Sequence, residues 1–298
     1  MDTLTINGKS YGYAFNFRND TELRASFNRL TQKVYGFDFE NWYLSGYWDA
    51  KYIPYSLLSD NAIVSNICVS VMEFLVKGTK RNFVQIGTVM TDPEYRNQGL
   101  NRVLLERVLA DWRGKCDLIY LFANDSVLDF YPKFGFSRAD EYQYSRKVDF
   151  VNNQFAVVKL NMLEKENREF LLNKIERSLS ISPLSMVNSS SLVMFHCTAP
   201  WASNNYYIKE LDAIAVADIS DDVLFLKGVF CEKELVLDEL INALSNKQIK
   251  KVVLGFTPND KTSFNKSILV PDDVLFVLDD NYSLFDTENY QFPALSHA

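Results

Sequence analysis

Between Phe83 and Trp112 the hydrophobic pattern changes period, and that change fixes the local order as strand, turn and helix. Residues Phe83 to Thr91 are mostly β-branched or apolar, as a buried strand requires, and Asp92-Pro93 ends them as a turn dipeptide. From Leu100 onward Val103, Leu104, Leu105, Val108, Leu109 and Trp112 recur at helical spacing, with Arg102, Glu106, Arg107 and Asp111 mostly off that face. The segment from Arg96 to Asn101 therefore occupies a strand-to-helix turn. At such a turn the unpaired N–H groups of the helix start and the positive end of its dipole converge, which suits a phosphate or pyrophosphate. Gly99 lets the backbone close on that ligand, and Arg96 and Arg102 can add charge-assisted contacts.

The run Arg96-Asn97-Gln98-Gly99-Leu100-Asn101 resembles the phosphate loop of the GNAT superfamily of N-acyltransferases, Gln/Arg-x-x-Gly-x-Gly/Ala. It departs from that pattern at Asn101, which is bulkier than Gly or Ala. Downstream, Asp117 to Ala123 reads as the next strand and Asn124-Asp125-Ser126 as a helix start. The following Phe130-Tyr131-Pro132-Lys133-Phe134-Gly135-Phe136 looks like the Phe-Tyr-x-Lys-x-Gly-Phe ending of the same family. The resemblance implies a GNAT fold in the N-terminal half, acetyl-CoA as acyl donor, and a pyrophosphate held at Arg96, Asn97, Gln98, Gly99, Leu100, Asn101 and Arg102. It also implies that backbone groups of Val89 and Thr91 pair with the pantetheine arm, and that the Val89 amide polarises the thioester carbonyl. Tyr131 matches the tyrosine that in many members protonates the departing thiolate; the competing reading is a core aromatic beside Phe130, Phe134 and Phe136. Asn124 either contacts the CoA arm or caps the helix that follows it.

A general base is harder to read. Some family members carry a glutamate on the strand before the loop, where this chain has Gln85, which cannot usefully accept a proton. Glu73 on the apolar strand Ala62 to Val76 is one substitute, and Asp38, Glu40 and Asp49 are others. A water can also serve when the acceptor amine arrives partly neutral. In some multidomain acetyltransferases the chain's own C-terminal carboxylate enters the active site, so the tail from Tyr290 could supply the base through His297 or Ala298, or could simply pack on a second domain.

The 298 residues, 47% hydrophobic and 14% aromatic, are enough for two packed domains, expected at 1–150 and 151–298. In the N-terminal part Lys9 to Phe15 reads as a strand and Thr21 to Val34 as a helix started by Asn19-Asp20. The aromatic stretch from Tyr35 through Trp42, Trp48 and Tyr55 is either an acceptor pocket suited to cation–π contact or packing between domains. In the second half Leu163 to Arg177 reads as a helix and Ser178 to Ser191 as a Ser-rich connection. Strand Val223 to Phe230, helix Lys233 to Leu244 and strand Lys250 to Phe256 then echo the first half, without a glycine loop and with Glu232 and Glu234 where phosphate would sit. The expected architecture is a tandem of mixed-sheet α/β domains, an active GNAT domain followed by a degenerate GNAT-like one.

A net charge of −7 argues against a sequence-independent nucleic-acid binder and favours cationic acceptors. Cys68, Cys116, Cys197 and Cys231 read as buried free thiols, and neither His196 nor His297 has a metal-site partner at ligand spacing, so no metal is expected. With no secretion signal and no apolar run of membrane-span length, the expectation is a cytoplasmic protein without a membrane partner. The expected activity is transfer of an acetyl group from acetyl-CoA to a primary amine of a small molecule or peptide, by direct attack in a ternary complex. The alternatives are a non-catalytic acyl-CoA-binding or regulatory module and a tandem-GNAT aminoacyl transferase. The sequence leaves the acceptor, the acyl length and the oligomeric state open.

Overall fold

A computed structural model describes residues 2–152, 155–270, 273–278 and 284–298. Along the chain come strands β1 (Asp2–Ile6) and β2 (Lys9–Phe15), helices α1 (Thr21–Tyr35) and α2 (Glu40–Leu44), and strands β3 (Tyr52–Ser59), β4 (Ala62–Val76) and β5 (Thr79–Thr91). Helix α3 (Leu100–Trp112) leads to β6 (Leu118–Ala123), β7 (Phe136–Arg138) and β8 (Tyr142–Lys147). Then follow β9 (Val157–Lys159), α4 (Lys165–Arg177), β10 (Leu184–Val187), α5 (Ser190–Thr198), β11 (Asn205–Ile208), β12 (Ala213–Ser220) and β13 (Val223–Cys231). The chain continues through α6 (Leu237–Leu244), β14 (Lys251–Leu254), β15 (Asn265–Ile268), β16 (Val274–Leu278) and α7 (Leu284–Glu288).

The strands form two mixed sheets, in keeping with the α/β class read from the sequence. The first runs β1-β2-β3-β4-β5-β6-β16-β7 with β10 beside β4, and the second runs β15-β8-β14-β13-β12-β11-β9. In each sheet one parallel pair carries a helical crossover: β5 to β6 through α3, and β13 to β14 through α6. Helix α3 buries Leu100, Leu104, Leu105, Val108 and Leu109 against one face of the first sheet. On the opposite face Phe27 and Leu30 of α1 join Trp42, Trp48 and Tyr52. Helix α1 begins where Asp20 accepts from the amides of Glu22 and Leu23, each at 3.0 Å, and ends at Gly36 in the left-handed conformation, φ 81°. The second sheet repeats this plan, with α6 on one face and α4 and α5 on the other.

The sheets do not follow the chain halves strand by strand. β8, from before residue 150, lies between β14 and β15, while β16, from the second half, lies between β6 and β7. The two units exchange strands, and each sheet is completed by the other's chain. Within the expected boundary region Asn153 and Gln154 lie outside the described residues.

Three local expectations differ from the structure. The Ser-rich connection contains β10, which pairs antiparallel with Glu73 to Val76 where β3 has already ended opposite Ser70, so an otherwise open edge of β4 is covered. The helix expected from Lys233 begins at Leu237, after Val236 in an extended conformation, φ -81° and ψ 111°. Cys116 is half-buried, whereas Cys68, Cys197 and Cys231 are buried free thiols. No helix among the described residues is long and apolar enough to cross a membrane.

Residues 1–150 expressed alone should show no cooperative thermal transition by circular dichroism, because β6 and β7 lose β16 and β8 loses its sheet. The 298-residue chain should show one. A sharp transition in the fragment would mean that β7 can pair directly with β6.

Candidate active site

Two irregularities on β5 open its backbone. On the β4 side the register slips between Asn66 and Cys68, which leaves Thr88 and Val89 without a cross-strand partner. On the other side the pairing with β6 ends at Ile86. Thr88 is held in the left-handed region, φ 46°, by Asn66 Nδ2 donating to its carbonyl at 3.0 Å and by its side chain 2.5 Å from the Tyr52 hydroxyl. The Tyr35 hydroxyl donates to the Val89 carbonyl at 2.7 Å. Tyr35 is 44% exposed, yet its phenol end is sheltered: burial, then Cys68 and Asp273, push its pKa up to about 12.

Tyr131 is buried, and burial, with a smaller contribution from Tyr35, raises its phenol well above the usual range. Tyr131 packs against Phe130, Phe136 and Phe276 in the core cluster that Val89 borders. It is a core ring, as the packing reading requires. Cys68, paired in register with Gly87, is fully buried, and burial pushes its thiol up to about 12. It stays protonated at neutral pH and is not a thiolate nucleophile.

At the far end of β5, Asp92 starts a short turn and is gripped by Lys33 at 2.8 Å. Asn97, φ 61°, and Gly99, φ 78°, turn the chain into α3, whose first turn has no capping side chain. The amides of that turn are thus free to meet an anion. Added bulk at Gly99 would meet only Asn7 Nδ2 at 4.0 Å among the described residues, so the surface of the loop is open, and the exposed Arg96 side chain donates to the Thr91 carbonyl at 3.4 Å. Arg102 lies 5.8 Å from the centre of the Phe134 ring. These features fit a pyrophosphate. Gln98 faces the other way: its Oε1 accepts from Lys9 at 3.2 Å and Tyr11 at 3.0 Å, tying the loop to the β1–β2 hairpin. Asn101 also turns inward, with Oδ1 accepting from Ser65 at 2.7 Å, so its extra bulk is absorbed against β4 instead of under the loop. Thr91 is opposite Ser65 in register, and Asn124 caps Ser126 with its Oδ1 at 3.1 Å from the amide.

The carboxylates considered as bases have structural partners. Glu40 holds Arg24 at 3.0 Å, Glu73 holds Lys80 at 3.0 Å, and Asp38 and Asp49 accept from the amides of Glu40 and Lys51. The tail, in contrast, reaches β5. Gln85 donates from Nε2 to the Ala298 oxygen and accepts from the Ala298 amide, each at 3.1 Å. A side chain at Gly87 would overlap the Ala298 oxygen, so glycine is required there. His297 stacks on Phe122 at 4.0 Å, and its carbonyl meets His196 Nε2 at 2.7 Å. Burial lowers both imidazoles, His196 to about 4 and His297 to about 3, so both are neutral at pH 7. Three residues earlier in the tail, Leu295 fills the space beside Gly228 on β13, where β13 has parted from β14 after Leu226. A cavity of about 570 Å³ flanks that parting, lined by Lys227, Phe230, Val193, Ile181 and Leu295. Among the described residues no cluster of His, Cys, Asp and Glu could hold a metal ion.

Sequence reasoning missed Tyr35, because an aromatic run does not say which ring turns to the strand, and it missed that Gln85 has a partner in the tail. Of the two roles open to the aromatic stretch, the structure shows the packing between the halves. Trp42, Trp48 and Tyr52 form a core, with Phe195 of the second half packed against it, while Tyr35 and Phe37 stay at the surface beside Val89.

Residues 10–139 match the family described as acetyltransferase (GNAT) domain. No curated protein matches the sequence. Solved structures of the same fold include a GCN5-related N-acetyltransferase from Kribbella flavida, at TM-score 0.56 and 16% identity over 90% of this chain and 71% of that one. Eis1 from Mycobacterium abscessus is similar at TM-score 0.56 and 14% identity, over 90% of this chain and 73% of that one. A GCN5-related N-acetyltransferase from Anabaena variabilis aligns at TM-score 0.53 and 12% identity, over 89% and 72%. These likenesses span both sheets and concern the fold.

Gly87→Ala should destabilise the protein by roughly 1–3 kcal/mol in urea unfolding, because the added methyl must displace Ala298 or bend β5. A change of a few tenths would show that the tail leaves the site at little cost.

Proposed function

From the GNAT domain at residues 10–139 we propose that this protein is an acetyl-CoA-dependent N-acetyltransferase that acts on a primary amine of a small molecule or peptide by direct transfer in a ternary complex. One arrangement carries the reading: the uncapped start of α3, with Asn97 and Gly99 left-handed, follows a strand whose Thr88 and Val89 have no partner on β4, with Tyr35 bonded to the Val89 carbonyl and Tyr131 in the core cluster that Val89 borders. Acetyl-CoA, when bound, supplies an activated acetyl group. Backbone amides from Asn97 to Arg102, with the Arg96 and Arg102 side chains, would hold its pyrophosphate, and Val89 and Thr91 would guide the arm along β5. The Val89 amide would donate to the thioester carbonyl oxygen as negative charge grows there, a contribution of roughly 3 kcal/mol. Tyr131, kept protonated by its burial, would give its proton to the departing sulfur.

Direct transfer is supported by the protonated state of Cys68, which leaves the β4–β5 site without an activated thiol for a covalent intermediate. A cationic acceptor is supported by the net charge of −7 and by Asp273, close enough to Tyr35 to raise its phenol. The engaged state of Glu40, Glu73, Asp38 and Asp49 supports an amine that arrives partly neutral and loses its proton through water. The second half, which repeats the crossover and its parted strands without a glycine loop, is read as a degenerate GNAT-like domain. Gln85 in place of a carboxylate favours one other reading, a non-catalytic acyl-CoA-binding module, which predicts binding without thiol release in the presence of any amine.

Calorimetric titration with acetyl-CoA should give a micromolar Kd, about −8 kcal/mol. Gly99→Glu should abolish it by placing a carboxylate in the anion site. Absence of binding by the unaltered protein would remove the donor assignment. In an amine screen that follows thiol release, Tyr131→Phe should lower kcat by roughly 10²-fold with acetyl-CoA affinity retained; an unchanged kcat would leave Tyr131 a core ring only.

A further inference from the structure

Glu141 is a buried carboxyl group, 4% exposed, at the start of β8, and among the described residues no Lys, Arg or His lies within ion-pair distance of it. Burying such a group is costly unless something is gained by it. Its Oε1 accepts the amide of Phe292 at 2.7 Å, and its backbone carbonyl accepts the amide of Leu269 at 2.8 Å. Phe292 is fully buried and stacks on Tyr120 with centroids 4.1 Å apart and planes 9° apart. The Tyr120 hydroxyl reaches Gln85 Oε1 at 3.3 Å, and Gln85 is the residue that brackets Ala298 beside Gly87. Between Phe292 and Ala298 the tail is tied again by the Ala294 amide on the Gly255 carbonyl at 2.7 Å and by His196 on the His297 carbonyl. Glu141 thus stands at the root of a continuous set of contacts that ends at the open edge of β5.

We propose that Glu141 is a positioning residue that anchors the tail through Phe292, and that its charge state sets how firmly Ala298 is held at the acyl end of the site. The part concerning turnover rests on the acetyltransferase reading; the part concerning the tail does not. A glutamine oxygen would accept the same amide without the cost of burying a charge, so that hydrogen bond alone does not call for a carboxyl group here. Among the described residues the titratable side chain set against Glu141 is the Tyr120 phenol on β6; the tail presents the Phe292 amide to the carboxyl, and the Leu269 amide bonds the Glu141 backbone carbonyl. Burial raises the Glu141 carboxyl to about 7, partly offset by the Phe292 amide. Because the pKa is raised in the closed form, closure is fully favoured below the ordinary carboxyl range. It weakens as pH rises toward 7, and above 7 the weakening is complete.

Hydrogen exchange of the Phe292–Ala298 amides in the full chain, corrected for intrinsic rates, tests this without any assay of activity. In the wild type, tail exchange should be faster at pH 8 than at pH 5.5 by at least about tenfold. Glu141→Gln should remove that pH dependence, and Glu141→Leu should exchange fast at both values. A wild-type tail with flat corrected exchange, or a Glu141→Gln tail with the wild-type pH dependence, overturns the proposal even if Glu141→Leu fails to fold. Kinetics then separate the two claims: Glu141→Gln should keep kcat at pH 7, while Glu141→Leu lowers kcat and leaves KM for acetyl-CoA within about twofold. If exchange behaves as stated but no amine is acetylated, the anchor stands and the acetyltransferase reading falls.

Discussion

A buried backbone must have its N–H and C=O groups paired, and in the first sheet β5 parts from β6 after Ile86 and lacks a partner on β4 at Thr88 and Val89. The rest of the site can be understood as the response. Asn66 takes the Thr88 carbonyl, Tyr35 takes the Val89 carbonyl, and Ala298 lies against Gly87. These partners come from three distant parts of the chain, a strand, the end of a helix and the tail. The second sheet carries the same fault: its register slips between Val216 and Ala217, β13 leaves β14 after Leu226, and Leu295 fills the space beside Gly228. One tail thus serves two partings, three residues apart in sequence.

Legibility in the sequence tracked the range of the interactions. The strand, turn and helix from Phe83 to Trp112 could be read because periodicity, Asp92-Pro93 and Gly99 are local signals. The start of α1 followed from Asp20 for the same reason. Side-chain direction was not legible: Gln98 and Asn101 stand in the loop motif but turn toward Lys9, Tyr11 and Ser65. Nor could the sequence say that β10 covers β4, or that Gln85 pairs with a residue 213 positions away, since an edge or an amide does not name its partner.

The buried titratable groups divide by what surrounds them. Cys68, Cys197 and the two histidines are held neutral by burial, and neutrality there is compatible with packing. Lys174, in contrast, is buried with Asp212 at 2.8 Å and Glu232 at 3.0 Å, and against the lowering effect of burial these partners raise its pKa and keep its charge. That pairing also occupies one of the two carboxylates at the turn that corresponds to that of Asn97 and Gly99 in the first half. The difference between the halves is therefore electrostatic as well as conformational.

The exchange of β8 and β16 has a consequence during synthesis. As the chain leaves the ribosome, β5 and β6 can pair with α3 packed across them, but the strand that separates β6 from β7 is not delivered until residue 278. For most of translation the first sheet must wait with an edge of β6 exposed, while β8 waits for a sheet not yet made. Contacts of such long sequence separation slow folding and lengthen exposure to wrong partners. Completion of both halves is thereby deferred to nearly the same moment, and a nascent chain of this kind depends on being protected until its last strand arrives.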